Sequence, residues 1–180
     1  MTTRIINEIE ISAKIDQEIR NGLCRCFPEN TKIFSITRAW NGVSPVFSVL
    51  GFEGDNLIAH TGVVSKKILI NSDEELTVFG LQNVFIIPEY RGKGLLDIIM
   101  QELLKRVKKM QFDYGLLFCK PELEKTYSKC SWQRLSNNRI FLLNNEGIKT
   151  PLSRRHIAMF YPLIHSHFPI GNINLQGSTW

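Results

Sequence analysis

From Ile11 through Ile15 and Ile19 to Leu23, an apolar residue returns at every fourth position, while Glu18 and Arg20 fall on other faces. That is the period of an amphipathic helix, and it predicts one over residues 11–27. Past the turn-forming Pro28, Glu29 and Asn30 the period is lost, and residues 33–36 read as an irregular loop. Runs enriched in β-branched and aromatic residues then predict strands over 46–52, 57–69 and 76–87. The polar tetrads 53–56 and 71–74 separate those runs as hairpin turns, so this half of the chain predicts an antiparallel meander.

A helical period returns at Leu96, Ile99, Leu103, Val107 and Met110, which predicts a helix over 95–110. Lys105, Arg106, Lys108 and Lys109 crowd its C-terminal end, where the helix dipole favours cations. Residues 114–119 read as a buried strand, 121–129 as a short helix with Pro121 in its first turn, and 139–143 as a further strand. The remainder, from Pro151, is richer in His, Pro and Asn and reads as a segment wrapped over the surface. No repeat, low-complexity tract or linker interrupts this order, and a chain of 180 residues predicts one mixed α/β domain over 1–180.

Composition narrows the class. A chain that is 43% hydrophobic and 22% charged is neither disordered nor membrane-spanning, and the apolar run at Val84–Ile87 is stopped by Pro88. Arg4, Glu8 and Glu10 stand where a signal peptide needs an apolar core, so a cytoplasmic protein is expected. Cys24, Cys26, Cys119 and Cys130 have neither the density of a disulfide scaffold nor the paired spacing of a zinc site, and reduced thiols with no metal are expected. His156, His165 and His167 read as surface or packing residues. A net charge of +5 favours anionic partners such as coenzyme phosphates, but no stripe of interleaved aromatic and basic residues points to nucleic acid.

The candidate chemistry lies at 84–96, where an apolar strand passes through Arg91-Gly92-Lys93-Gly94 straight into a helix. Free N–H groups at a helix start attract phosphate, and glycines let a ligand approach the main chain closely. Neither the nucleoside-triphosphate loop nor the dinucleotide fingerprint fits this spacing.

Arg91 to Leu96 resembles the Arg/Gln-x-x-Gly-x-Gly/Ala turn of the GCN5-related N-acetyltransferase (GNAT) superfamily, with Leu96 where a small residue is usual. The resemblance implies an α/β (α+β) fold: a mixed, mostly antiparallel central sheet flanked by helices, with a splayed central strand pair holding the coenzyme. It also implies acetyl-CoA as co-substrate. Phe85, Ile86, Ile87, Arg91, Gly92, Lys93, Gly94, Leu95 and Leu96 would then bind its pantetheine arm and pyrophosphate. Tyr127 to Trp132 is similar to a second superfamily element, Tyr-x-x-x-Gly-Trp/Phe, with Ser131 in place of glycine. Tyr127 thereby becomes the candidate general acid.

The strand 57–64, the strand leading to Asn83-Val84 and the ending at Trp180 resemble the branch of aminoglycoside 2′-N-acetyltransferases and nodulation acyltransferases. That branch carries a glutamate where this chain has Gln82, and an acidic residue where it has Ser178. By this resemblance Gln82 is a catalytic candidate and Trp180 a substrate contact; beside them His60 is a candidate base, and Asn83 is a further substrate-side candidate that, like Gln82, could hold water for the base. Glu74, Glu75 and the C-terminal carboxylate are further candidates for the base. The expected activity is direct transfer of an acetyl group to a primary amine of a small molecule. A longer acyl chain, or coenzyme binding with little catalysis, stands as the alternative. No nucleic acid or membrane partner is expected, and a homodimer is left open.

Overall fold

The computed structural model describes residues 1–144 and 146–180 and divides the chain into two compact units. The first comprises residues 1–64 and 82–106, the second 65–81 and 107–180.

In the first unit, β1 (Thr2–Asn7) pairs antiparallel with β2 (Phe47–Glu53), which pairs antiparallel with the first part of β3 (Asn56–Ile70). The polar segment TTRIIN gives no strong strand signal, and β1 was not expected. Its edge is set by the register Thr2–Phe52 to Asn7–Phe47. α1 (Ala13–Cys26) starts at Ser12, whose Oγ accepts the N–H of Ile15 at 3.3 Å. Its period-four stripe packs Ile19 and Leu23 against Leu50, Phe52, Ile58, Phe85 and Ile87. The other face of β2 meets α3 (Leu95–Val107), where Ile99 lies against Gly51. Covered on both faces, β2 is buried from Phe47 to Phe52. Ile33 and Phe34, expected as the start of an irregular loop over 33–36, instead complete the single turn of α2 (Thr31–Phe34), which buries Phe34 against the α1 cluster.

In the second unit the strands lie side by side in the order β6 (Gln133–Arg134), β9 (Ile157–Pro162), β5 (Tyr114–Cys119), β4 (Glu74–Ile86), β3, β10 (Asn172–Asn174), β7 (Arg139–Leu143) and β8 (Lys149–Pro151). Most pairs are antiparallel. β4 with β5 and β7 with β10 are parallel, so the sheet is mixed. β5 is registered on β4 from Tyr114 to Leu116 only, whereas β9 follows it along its whole length. α4 (Glu124–Lys129) follows a 3-10 turn begun by Pro121.

The C-terminal segment corrects the sequence reading. It does not wrap over the surface but supplies β9, buried from Ile157 to Phe160, and β10, which extends the sheet beyond β3. The run Ile157–Tyr161 is a short all-apolar strand, the kind a sheet buries on both faces. Among the described residues no helix is long and apolar enough to cross a membrane, and no group of three or more His, Cys, Asp or Glu is placed to hold a metal ion.

Candidate functional site

β4 ends at Ile86, a 3-10 turn begun by Pro88 follows, and α3 starts at Leu95. Between them Gly92 and Gly94 both take left-handed backbone, φ +75° and +71°, which glycine adopts without penalty. A Cβ built on either finds no heavy atom within 4 Å, so this stretch of main chain is open to a ligand. Arg91 turns back to donate from Nε to the carbonyl of Ile86 at 2.9 Å, closing the end of the strand. The Lys93 ammonium lies 5.1 Å from the centre of the Tyr90 ring. Arg25 of α1 pairs with Glu89 and so ties the turn to the helix. The expected residues Arg91 to Leu96 therefore form one open turn flanked by two cations.

Upstream, the side chains expected at the chemistry are committed to holding the scaffold. Gln82 is buried; its Nε2 donates to the carbonyl of Val43 at 3.1 Å and its Oε1 accepts the N–H of Trp40 at 3.4 Å. Asn83 interrupts β4 with φ +56°, and its Nδ2 donates to the carbonyl of Arg38 at 2.6 Å. His60 is 0% exposed, with Nδ1 at 2.7 Å from the carbonyl of Asn83 and Nε2 at 3.2 Å from Ser48 Oγ. Burial lowers its pKa to about 4, against the raising effect of the Asn83 carbonyl, and the Arg38 charge lowers it further. Gln82 and His60 thus spend their side chains on protein partners, and the Asn83 amide nitrogen is spent on the Arg38 carbonyl. The Phe85 ring stacks on His60 and fills the space left by Gly22 of α1, so Phe85 offers its main chain rather than its side chain to a ligand.

The segment that Gln82 and Asn83 hold is fixed from its other side by charge. Arg38, 7% exposed, pairs through Nη2 with Glu8 at 2.7 Å and through Nε with Asp16 at 2.6 Å. Arg20 pairs with the other oxygen of Asp16 and donates to the carbonyl of Ser35 at 2.5 Å. Burial alone would raise the Asp16 carboxyl, but hydrogen bonds from Arg38 and Arg20 hold it below the usual carboxylate range. Sequence reading missed this network, which joins residues up to 30 positions apart. A lone arginine in a loop carries no local signal.

The second unit holds Tyr127 and Trp180. Tyr127 is buried in α4, and burial, aided by the nearby Cys119 and Cys130 thiols, pushes its phenol well above the ordinary value. Ser131, standing where the motif has glycine, takes φ +66° and lets the main chain turn back so that the Trp132 N–H reaches the Tyr127 carbonyl at 3.2 Å. Trp180 is 5% exposed and its indole lies directly on Gly80 of β4, where any Cβ would overlap Nε1. Phe118 flanks it at 5.0 Å between ring centres, and the indole N–H is buried without a protein acceptor. Gly80 was overlooked, although a glycine inside a strand is itself a sign of close approach. Glu74 and Glu75, candidates for the base, are exposed at the β3–β4 hairpin, and Glu75 pairs with Lys67 at 2.6 Å.

A family model described as an acetyltransferase (GNAT) domain matches residues 11–134. No curated protein sequence matches the chain. Among solved structures, the chain resembles a GNAT family N-acetyltransferase (YhbS) from Escherichia coli in complex with CoA, at 16% identity and TM-score 0.67, over 97% of this chain and 89% of that one. Escherichia coli ElaA is similar at 16% identity and TM-score 0.64, over 89% and 98%. A GNAT family acetyltransferase from Brucella melitensis in complex with acetyl-CoA is similar at 16% identity and TM-score 0.58, over 96% and 94%. These likenesses show the fold.

Proposed function

Because the chain belongs to the GNAT acetyltransferase family, and is therefore an acyltransferase, we propose that it moves an acetyl group from acetyl-CoA directly to a primary amine of a small molecule in the cytoplasm. The observation that carries this reading is the turn between β4 and α3: two left-handed glycines with open space beside them, flanked by Arg91 and Lys93. N–H groups at the start of a helix and two cations suit a pyrophosphate. Two of the structural neighbours hold CoA or acetyl-CoA, which supports the same ligand here.

Acetyl-CoA would supply the activated thioester; the chain's own residues bind and orient. Gly92 to Leu96 would receive the pyrophosphate, and the main chain of Phe85 to Ile87 the pantetheine arm. Tyr127 is the general acid by its motif, and its raised pKa keeps the phenolic proton in place at neutral pH, the form a donor needs. With Gln82 and His60 committed to protein partners, the amine's proton passes to water. Trp180, seated on Gly80 and flanked by Phe118, contacts the acceptor. β3 and β4 each run from one unit into the other, which supports reading 1–180 as one acyltransferase domain.

Calorimetric titration with acetyl-CoA and CoA, followed by a thiol-release assay over aminoglycosides, polyamines and amino-acid amides, tests the reading. Binding of both coenzymes with thiol release for one amine class is expected. Failure of either coenzyme to bind overturns it.

A further inference from the structure

The net positive charge is not spread evenly. The first unit has ten Lys and Arg against ten Asp and Glu, whereas the second has 12 against 7 and so carries the whole excess of +5. Within the second unit part of that excess converges on one cavity of about 460 Å³, a size that suits a small molecule. Arg134, Arg139, Arg154 and His156 line it together with Asn138 and Ser153, and no Asp or Glu does. The Arg134 guanidinium is paired with Glu124 at 2.9 Å, but neither Arg139 nor Arg154 pairs with a carboxylate among the described residues.

Two guanidinium groups facing one concave space without a counter-ion repel each other, and a bound anion would relieve that repulsion. Each guanidinium fork also matches the geometry of a carboxylate or phosphate. The walls are held in place. Asn138 Nδ2 donates to the carbonyls of Pro169 and Gly171 at 2.9 and 3.1 Å, and the Leu152 N–H reaches the Ile140 carbonyl at 2.8 Å. Arg139 is fixed in register with Asn172. Apart from Arg134, every lining residue lies beyond 11–134, the part that matches the family model, so the cavity is a feature of this chain's own C-terminal segment.

We propose that this cavity is an anion site that takes the phosphate or carboxylate group of an acidic small molecule, gripped by Arg139 and Arg154. Binding is read without catalysis, so the site stands or falls apart from the acyl-transfer reading.

The test is calorimetric titration of the full chain, with CoA in excess to occupy the glycine turn, using inorganic phosphate and succinate at low and at physiological salt. One saturable site is expected for at least one of the two acids. Its affinity should fall about tenfold or more in Arg139→Ala/Arg154→Ala, in line with the loss of charge-assisted hydrogen bonds. A charge-matched control on the surface, Lys108→Ala/Lys109→Ala, should leave it unchanged. Arg154→Glu alone, an exposed position in the turn after β8, provides a variant that does not disturb a strand and should abolish binding. The proposal is overturned by the absence of saturable binding for both acids, or by an equal loss in the lysine variant, which would mean bulk charge. A single-stranded oligonucleotide that binds where both acids fail would also overturn it, in favour of a macromolecular polyanion.

Discussion

His60 on β3 donates from Nδ1 to the main-chain carbonyl of Asn83 on β4, at 2.7 Å, at the position where β4 turns left-handed. A carbonyl only accepts, so Nδ1 carries the ring proton and Nε2 accepts from the Ser48 hydroxyl. Asn83 in turn donates to the carbonyl of Arg38, and Arg38 is gripped by Glu8 and Asp16. A break in the pleat two residues before Phe85 is therefore held from both sides.

The cost of that break is measurable. Asn83→Ala removes the bond to Arg38 while leaving a non-glycine residue at φ +56°, and should lose about 2–3 kcal/mol of stability. Asn83→Gly removes the bond but relieves the backbone, and should lose about 1 kcal/mol less. Urea unfolding of the two variants checks the order, and equal losses would show that the backbone carries no strain.

His60 makes stability pH-dependent in a stated direction. The unfolded imidazole takes up a proton near its ordinary pKa of 6.5, while the folded one resists until about 4. Over that window the unfolded state binds more protons, so stability is complete above pH 6.5 and falls as the pH drops toward 4. The total is about 3 kcal/mol from this group. Unfolding midpoints measured between pH 7 and pH 4 should show the slope in the wild type and its disappearance in His60→Gln.

Gly80 is the seat of Trp180. In Gly80→Ala the added Cβ overlaps the indole, and the C-terminal residue must move at a cost of about 1–3 kcal/mol. Tryptophan emission should shift to longer wavelength. Under the proposed function, KM for the amine should rise while acetyl-CoA affinity stays the same; a rise in both would place Trp180 in coenzyme binding instead.

Tyr127→Phe keeps the ring that packs in α4 and removes only the phenolic proton. A fall in kcat of about 100-fold, at unchanged acetyl-CoA affinity and unchanged melting temperature, is expected of a general acid. An unchanged kcat would reduce Tyr127 to a packing residue.

What local pattern encodes was legible. α1 follows from isoleucines every fourth residue, the β2–β3 and β3–β4 hairpins from their polar tetrads, and the glycine turn from a motif contained in six residues. The Ser131 position was also marked by its departure from glycine. Its φ of +66° explains the usual residue, and Ser131→Gly should raise stability by about 0.5–1 kcal/mol in thermal unfolding. What depends on distant partners was not legible. β9 becomes a strand because β5 and β6 offer it two edges, and six apolar residues alone do not distinguish that outcome from a buried turn of helix. For Gln82, counting along a motif located the residue but not its partners, Trp40 and Val43, which lie about 40 positions earlier.

The strand order also sets a timetable for synthesis. β6 pairs with β9, made more than twenty residues later, and the edge of β3 in the second unit waits for β10, made later still. At about 5–20 residues per second, the edges of β5 and β3 stay open for seconds on a growing chain. Open strand edges are templates for pairing with other chains. Residues 157–174 thus act as a late-applied seal on these edges, and a ribosome that stalls before Ile157 would release the chain with the edges of β5 and β3 exposed.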